Sequence, residues 1–296
     1  MASGHCSTRR AIDAARPAAT RFRRFRAGLA ARLIAIVFIA GQPELAGAGG
    51  QNDCQNPAAP AVYLTLDTGH MGTAELIAQV LRRQGVVATF FAAHEPTQQG
   101  DGSLGEHWAP WWRARAAEGH EFASHTWSHA YWRADLPGEP ARFRIRASAG
   151  ELAGRDQTWD APRYCEEVTR AAQRLQALTG RAPLPLFRAP GGKTSPRLLA
   201  AAKACGYAHV GWAPAGFLGD ELPSDRFPND MLLKRALRDI RSGDILMAHL
   251  GIWSRQDPWA PAVLEPLVAG LKARGLCFRT LRQHPAYSGW IAANPR

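Results

Sequence analysis

At 296 residues, with 46% hydrophobic and 21% charged side chains, the chain can bury one sizeable core and is too apolar to be intrinsically disordered. Its formal charge of +11 is unevenly placed: residues 1–48 hold eight Arg against two acids, Asp13 and Glu44, so the remainder is only mildly basic. No Lys/Arg stripe with interleaved aromatics follows, which sets nucleic-acid binding aside.

The chain opens on a leader-like segment. Arg21, Arg23, Arg24 and Arg26 precede an apolar run over 33–40, and Ala46-Gly47-Ala48 then offers small residues for cleavage. Charge, short apolar core and small residues, in that order, describe a secretory signal peptide. The run is far shorter than the roughly 18 residues a membrane span needs. The protein is therefore expected to be exported, periplasmic or secreted, and to touch the membrane only if the leader stays in place as an anchor. Cys6 lies in that leader; Cys54, Cys165, Cys205 and Cys277 follow it. In an oxidising compartment these four allow two disulfides in three connectivities, with buried free thiols as the alternative.

Residues 49–60 read as a polar linker, and 61–296 as one domain. A buried strand over 61–66 runs into Asp67. A helix over 73–84 is closed by Gly85, and a strand follows over 86–92. A helix over 107–117 ends near Gly119, before a strand over 120–124. A long helix over 165–179 is closed by Gly180. Strands are then predicted at 184–188, 207–212, 244–249 and 277–281, separated by helices at 196–205, 229–242 and 261–274. Residues 130–164, rich in Pro, Arg and Trp, break this rhythm and read as an insertion loop. Near-continuous apolar strands alternating with helices imply a parallel sheet covered by helices. About seven such strands in roughly 235 residues point to an α/β fold built as a distorted (β/α) barrel.

In such folds chemistry collects at the carboxyl ends of the strands. After the predicted strands come Asp67, His125, Arg188, Trp212 and His249. Taken singly, each has an ordinary structural role: a cap for Asp67, a core imidazole for His249, a loop bridge for Arg188. His125 and His129, at i,i+4, would share one face of a helical turn and could grip one metal ion. Several titratable groups at one end of one barrel are hard to explain as packing.

Together these segments resemble the polysaccharide deacetylase family, the NodB-like carbohydrate esterases. Thr65-Leu66-Asp67-Thr68-Gly69 stands for the first motif, usually T-F-D-D-G. His125-Thr126-Trp127-Ser128-His129 matches the second, H-S/T-x-x-H, in full. Arg188-Ala189-Pro190-Gly191-Gly192 stands for the third. The fourth, usually D-x-x-D-W, is poorly kept, with Trp212 at the strand end and Asp220 as a shifted candidate for its acid. Met247-Ala248-His249 stands for the fifth, L-x-H. The resemblance covers 61–282 without the insertion.

It implies a hydrolase that removes N-acetyl groups from a cell-envelope glycan, peptidoglycan or a GlcNAc-containing polysaccharide, using a divalent metal, with zinc the expected ion. His125 and His129 would be ligands, Asp67 the base, His249 the acid, and Arg188 and Asp220 supporting catalytic residues. Trp212, Met247 and Trp127 would line the substrate pocket, with Trp132 and Trp253 as further stacking candidates. One departure matters: the usual third ligand is an Asp, and here it is Thr68, a poorer donor for such an ion. Two histidines with waters could hold the metal, His70 could substitute, or the site could be metal-free and only bind glycan. A small-amide hydrolase on the same fold is a further alternative.

Overall fold

The computed structural model describes residues 54–296; the expected leader and most of the linker lie outside the described residues. The elements in chain order are β1 (Ala61–Asp67), α1 (Ala74–Gln84), β2 (Thr89–Ala92), α2 (Ala109–Ala117), β3 (Glu121–Ser124), β4 (Ala130–Leu136), β5 (Arg142–Ala147) and β6 (Asp156–Asp160). They continue with α3 (Ala161–Thr179), β7 (Leu186–Phe187), α4 (Pro196–Ala204), β8 (Ala208–His209), α5 (Asn229–Asp239), β9 (Ile245–His249), α6 (Leu264–Ala273), β10 (Cys277–Phe278) and α7 (Pro285–Ala293).

Local chemistry sets the boundaries. Gly85 closes α1 in the left-handed conformation, φ 57°, where its N–H reaches back to the last carbonyls of the helix. Asp160 and Ser195 cap α3 and α4, each side chain accepting a backbone N–H from the first turn.

Seven strands form one parallel sheet. β1 is its centre, paired with β9 on one side and with β2 and β10 on the other, and the order continues β2-β3-β7-β8. The segment after β8 turns toward β9: Ala213 and Leu218 donate to the carbonyls of Ile245 and Met247, and Phe217 bridges Met247. The sheet thus curls toward a barrel whose last junction is a bridge rather than a full ladder.

Strand alternation assigns the two faces. Val62, Leu64 and Leu66 join the cluster formed with helix residues such as Ile77 and Leu264. Ala61 and Tyr63 face the other way, into a cluster with Phe91, Leu186, Val210 and Ile245. Asp67 continues that inner row, at the end of the strand.

Residues 130–164 do not form a loop. They fold as a separate antiparallel sheet, β4-β5-β6, and the first turn of α3. The reason was present at 142–147, where Arg142, Arg144 and Arg146 alternate with Phe143, Ile145 and Ala147. The arginines are exposed and the others buried, Phe143 and Ile145 in one cluster with Trp159, Tyr164 and Phe187. The cysteines pair as Cys54–Cys277, tying the entry segment to β10, and Cys165–Cys205, tying α3 to the end of α4. No helix among the described residues is long and apolar enough to cross a membrane.

Candidate active site

The ends of β1, β3, β7 and β9 bring four expected side chains together. Asp67 pairs in register with His249 on β9 and Phe91 on β2, so the two titratable groups stand level on adjacent strands. Arg188, directly after β7, is fully buried. Its Nη1 donates to Asp67 Oδ1 at 2.6 Å, while Nε and Nη2 donate to the carbonyls of Val210 and Gly211. Its guanidinium lies 4.2 Å over the Phe91 ring and 5.5 Å from the Trp212 ring. Burial opposes ionisation of Asp67, but the charge and hydrogen bond of Arg188, together with the neighbouring His125 and His249, outweigh it and hold the carboxyl below its usual range.

His125 follows β3. Its Nδ1 lies 2.9 Å from the Arg188 carbonyl, which can only accept, so Nδ1 carries the proton and Nε2 keeps its lone pair. Nε2 faces Asp67 Oδ2 at 3.5 Å. Burial pushes the His125 pKa down to about 4 against the pull of Asp67, which leaves a neutral imidazole at pH 7.

The His125 and His129 rings lie 4.8 Å apart, but the helical turn expected to join them is absent. Thr126 and His129 both take positive φ, 64° and 50°. The loop is held by side chains. Ser124 Oγ accepts the Thr126 N–H, Thr126 Oγ1 accepts the Ala130 N–H, and Ser128 donates twice to the buried Glu167 of α3. Hydroxyls and a carboxylate next to the backbone here compete successfully with helix formation. His129 Nδ1 contacts Ser148 Oγ at 2.5 Å and lies 3.7 Å from Glu95 Oε1.

Asp220 does reach His249. Its carboxylate accepts the His249 backbone N–H at 2.7 Å and lies 3.2 Å from Nδ1, while Glu221 is 3.9 Å from Nε2. Burial alone would lower the His249 pKa. Asp220, helped by Asp67 and Glu221, reverses that and raises it to about 9. A buried carboxylate and a charged imidazole therefore stand side by side, their pKa values pushed apart.

The other expected residues are placed as follows. Met247 is buried on β9, on the same strand face as His249, and Trp212 is half-buried beside Arg188. Trp127 is engaged by its neighbours, stacked on His94 at 4.4 Å with the Arg170 guanidinium 4.1 Å from its ring. Trp132 donates to Asp135 within the small sheet. Trp253, 66% exposed, meets the edge of His70 beside a cavity of about 270 Å³ that Asp220 and His249 also line. His70 is committed elsewhere, its Nδ1 accepting the Gly72 N–H at 2.9 Å and its ring also bonded to the Ile252 backbone.

Thr68 is buried, and its hydroxyl is also committed. It accepts the Ala93 N–H at 3.0 Å and donates to Glu95 Oε2 at 2.6 Å. Glu95 and Glu221 are site groups that sequence reading missed. Ala93 and His94 separate Glu95 from the end of the apolar run 86–92, so no strand-end signal marks it as one marks Asp67.

Among the described residues no three His, Cys, Asp or Glu side chains stand as a ready-made cation cage. The donor chemistry nonetheless fits a borderline divalent ion, with one neutral imidazole keeping its lone pair, a second imidazole beside it and carboxylate oxygens within 3.5 and 3.7 Å of them.

A family model described as polysaccharide deacetylase matches residues 55–210. A chitooligosaccharide deacetylase of Azorhizobium caulinodans is 25% identical over 233 residues, covering 75% of this chain and 92% of that protein. Among solved structures, a family 4 acetyl xylan esterase from Clostridium thermocellum, in complex with a cobalt ion, superposes with a TM-score of 0.57 at 21% identity. That match covers 77% of this chain and 92% of the esterase. The peptidoglycan deacetylase PdaC from Bacillus subtilis superposes with a TM-score of 0.55 at 18% identity, covering 80% of this chain and 96% of that one. At these identities the structures attest the fold.

Proposed function

Because the chain belongs to the polysaccharide deacetylase family, hydrolases of N-acetyl amide bonds, we propose that its barrel mouth deacetylates a cell-envelope glycan with the help of a divalent metal ion. The observation that carries this reading is the Asp67–His249 pair. Adjacent strand ends hold a base kept ionised and an acid kept protonated at the same pH, the pairing that acid–base chemistry at neutral pH requires.

His125 and His129 would hold the ion, and zinc is the proposed metal. Such an ion, when bound, supplies Lewis acidity toward water and the acetyl carbonyl. The remaining work falls to the chain. Asp67 takes the proton of the attacking water. Arg188 keeps that carboxylate ionised and fixes its direction through Oδ1, leaving Oδ2 on the His125 side. His249 gives its proton to the departing amine, and Asp220 keeps the imidazole charged and oriented until then. Trp212 and Met247 would line the acetyl methyl, and Trp253 offers an exposed aromatic face on which a sugar ring can stack.

Two disulfides in the described domain and the leader-like segment before it support an exported enzyme, periplasmic or secreted. A glycan-holding protein without catalysis is the reading that Thr68 favours. The intact Asp67–Arg188 and His249–Asp220 pairs speak for turnover.

Incubation with chitin oligomers and with peptidoglycan is expected to release acetate from at least one of them. Chelation should stop the release, and Zn²⁺ or Co²⁺ should restore it. Trp253→Ala is expected to raise KM with kcat little changed, as for a group that binds ground and transition state alike. No acetate from either glycan, at any added metal, would overturn the assignment.

A further inference from the structure

We propose that Glu95 is the third protein ligand of the divalent ion, supplied from the loop after β2 in place of the carboxylate that Thr68 replaces, and that Thr68 serves as its hydrogen-bonding guide. The inference rests on the metal-assisted deacetylase reading above.

The Thr68 hydroxyl has one proton. Because its oxygen accepts the Ala93 N–H at 3.0 Å, that proton is directed at Glu95 Oε2, 2.6 Å away. One carboxylate oxygen is thereby tied to the missing ligand's own position, and the other, Oε1, lies 3.7 Å from His129 Nδ1, the nitrogen that also contacts Ser148 Oγ and that an ion shared with Glu95 would take over from it. That separation is too long for a hydrogen bond. It is close to the roughly 3.4 Å expected between two donors that share one tetrahedral zinc ion at about 2.0–2.1 Å.

The charge balance points the same way. The Glu95 side chain is only 15% exposed, and its only ion-pairing neighbour among the described residues is the His129 imidazole. No Lys or Arg there neutralises it. A carboxylate held largely out of water beside two imidazoles is stabilised by a cation between them.

The backbone that carries Glu95 is fixed on every side. Ala93 is tied to Thr68, the His94 N–H donates to the Trp127 carbonyl at 2.7 Å, and Glu95 and the buried Ser103 exchange two bonds through the Glu95 N–H and carbonyl. Ser103 Oγ also donates to the Ala93 carbonyl at 2.5 Å. Trp127 lies between the two histidines in sequence, so the His94–Trp127 bond locks the loop of Glu95 to the loop of His125 and His129. Such a supporting shell is what a metal ligand needs to keep its direction.

The test is metal affinity, independent of turnover. Zn²⁺ binding by the full chain is measured by titration calorimetry, and Co²⁺ binding by its visible absorption, in wild type, Glu95→Gln, Glu95→Ala, Thr68→Asp/Glu95→Ala and His125→Ala, with folding checked by circular dichroism. Glu95→Gln keeps the size of the side chain and should weaken Zn²⁺ binding by about 100-fold or more and alter the cobalt spectrum, since even an orienting partner of a ligand is worth 10–100-fold. The double variant returns the carboxylate to position 68 and should recover affinity to within about tenfold of wild type. If both Glu95 variants bind with wild-type affinity and spectrum while His125→Ala loses the metal, Glu95 is not a ligand and the deacetylase reading stands. If wild type and His125→Ala bind metal equally or not at all, the metal reading fails and this inference with it.

Discussion

Asp67→Asn is expected to lower kcat/KM by about 10³-fold, within the range that a positioned general base contributes. The same change should destabilise the fold by about 3 kcal/mol, because Arg188 is fully buried and would lose its only carboxylate partner among the described residues. Both effects follow from one contact, the 2.6 Å bond between Arg188 Nη1 and Asp67 Oδ1. The pH dependence has a definite sign. The Asp67 pKa is depressed in the fold, so its contribution to stability is complete above the ordinary carboxylate range and is lost as pH falls through the depressed value. Urea unfolding at pH 7 and pH 3 checks this: wild type should lose stability on acidification by more than Asp67→Asn does. Unchanged turnover and stability in the variant would remove Asp67 from the mechanism.

Asp220→Asn should act on the other limb. The wild-type His249 pKa of about 9 is the outcome of a contest in which burial opposes the charge and Asp220 wins. Without that carboxylate the largest of the charges opposing burial is gone, only Asp67 and Glu221 remain against it, and the pKa drops. Activity that requires protonated His249 then loses its alkaline limb toward neutral pH, with a fall of about tenfold at pH 8 if the pKa moves below 7. The linked stability runs opposite to that of Asp67. A raised pKa stabilises fully below the unfolded value and ceases to do so as pH rises through about 9. The profile of kcat/KM against pH in wild type and variant is the measurement, and an alkaline limb that does not move would show that Asp220 does not set the charge of His249.

The contrast between these residues and Glu95 shows where sequence reading runs out. β1 and β9 are apolar strands that end abruptly in a polar residue, so Asp67 and His249 stand out at strand ends, where an α/β fold collects its chemistry. The seven parallel strands were readable for the same reason, each being a short apolar run bounded by a helix. Glu95 lies three residues beyond the end of β2, just before Pro96, and only the bond to Thr68 relates it to the first motif. No local pattern carries a contact made across 27 residues. Asp220 is displaced from its motif position, and its pairing with His249 depends on a loop path that spacing does not encode.

The small sheet β4-β5-β6 was hidden differently. The alternation of Arg142 to Ala147 is regular, but the Pro, Gly and Trp residues around it read as loop. The His125–His129 spacing misled in its geometry and not in its outcome. The two rings meet although the turn between them is left-handed at both Thr126 and His129, because Ser124, Thr126 and Glu167 hold that loop by side-chain bonds.

Metal-assisted deacetylation by this chain requires one cation sitting between groups drawn from four strand ends. The most direct measurement is a crystal of the protein grown with Zn²⁺ and recorded at the zinc absorption edge. The expected result is one anomalous peak per chain, about 2.0–2.2 Å from an imidazole nitrogen of both His125 and His129, with the Asp67 carboxylate on its open side. A peak elsewhere, or none at these two rings, would contradict it.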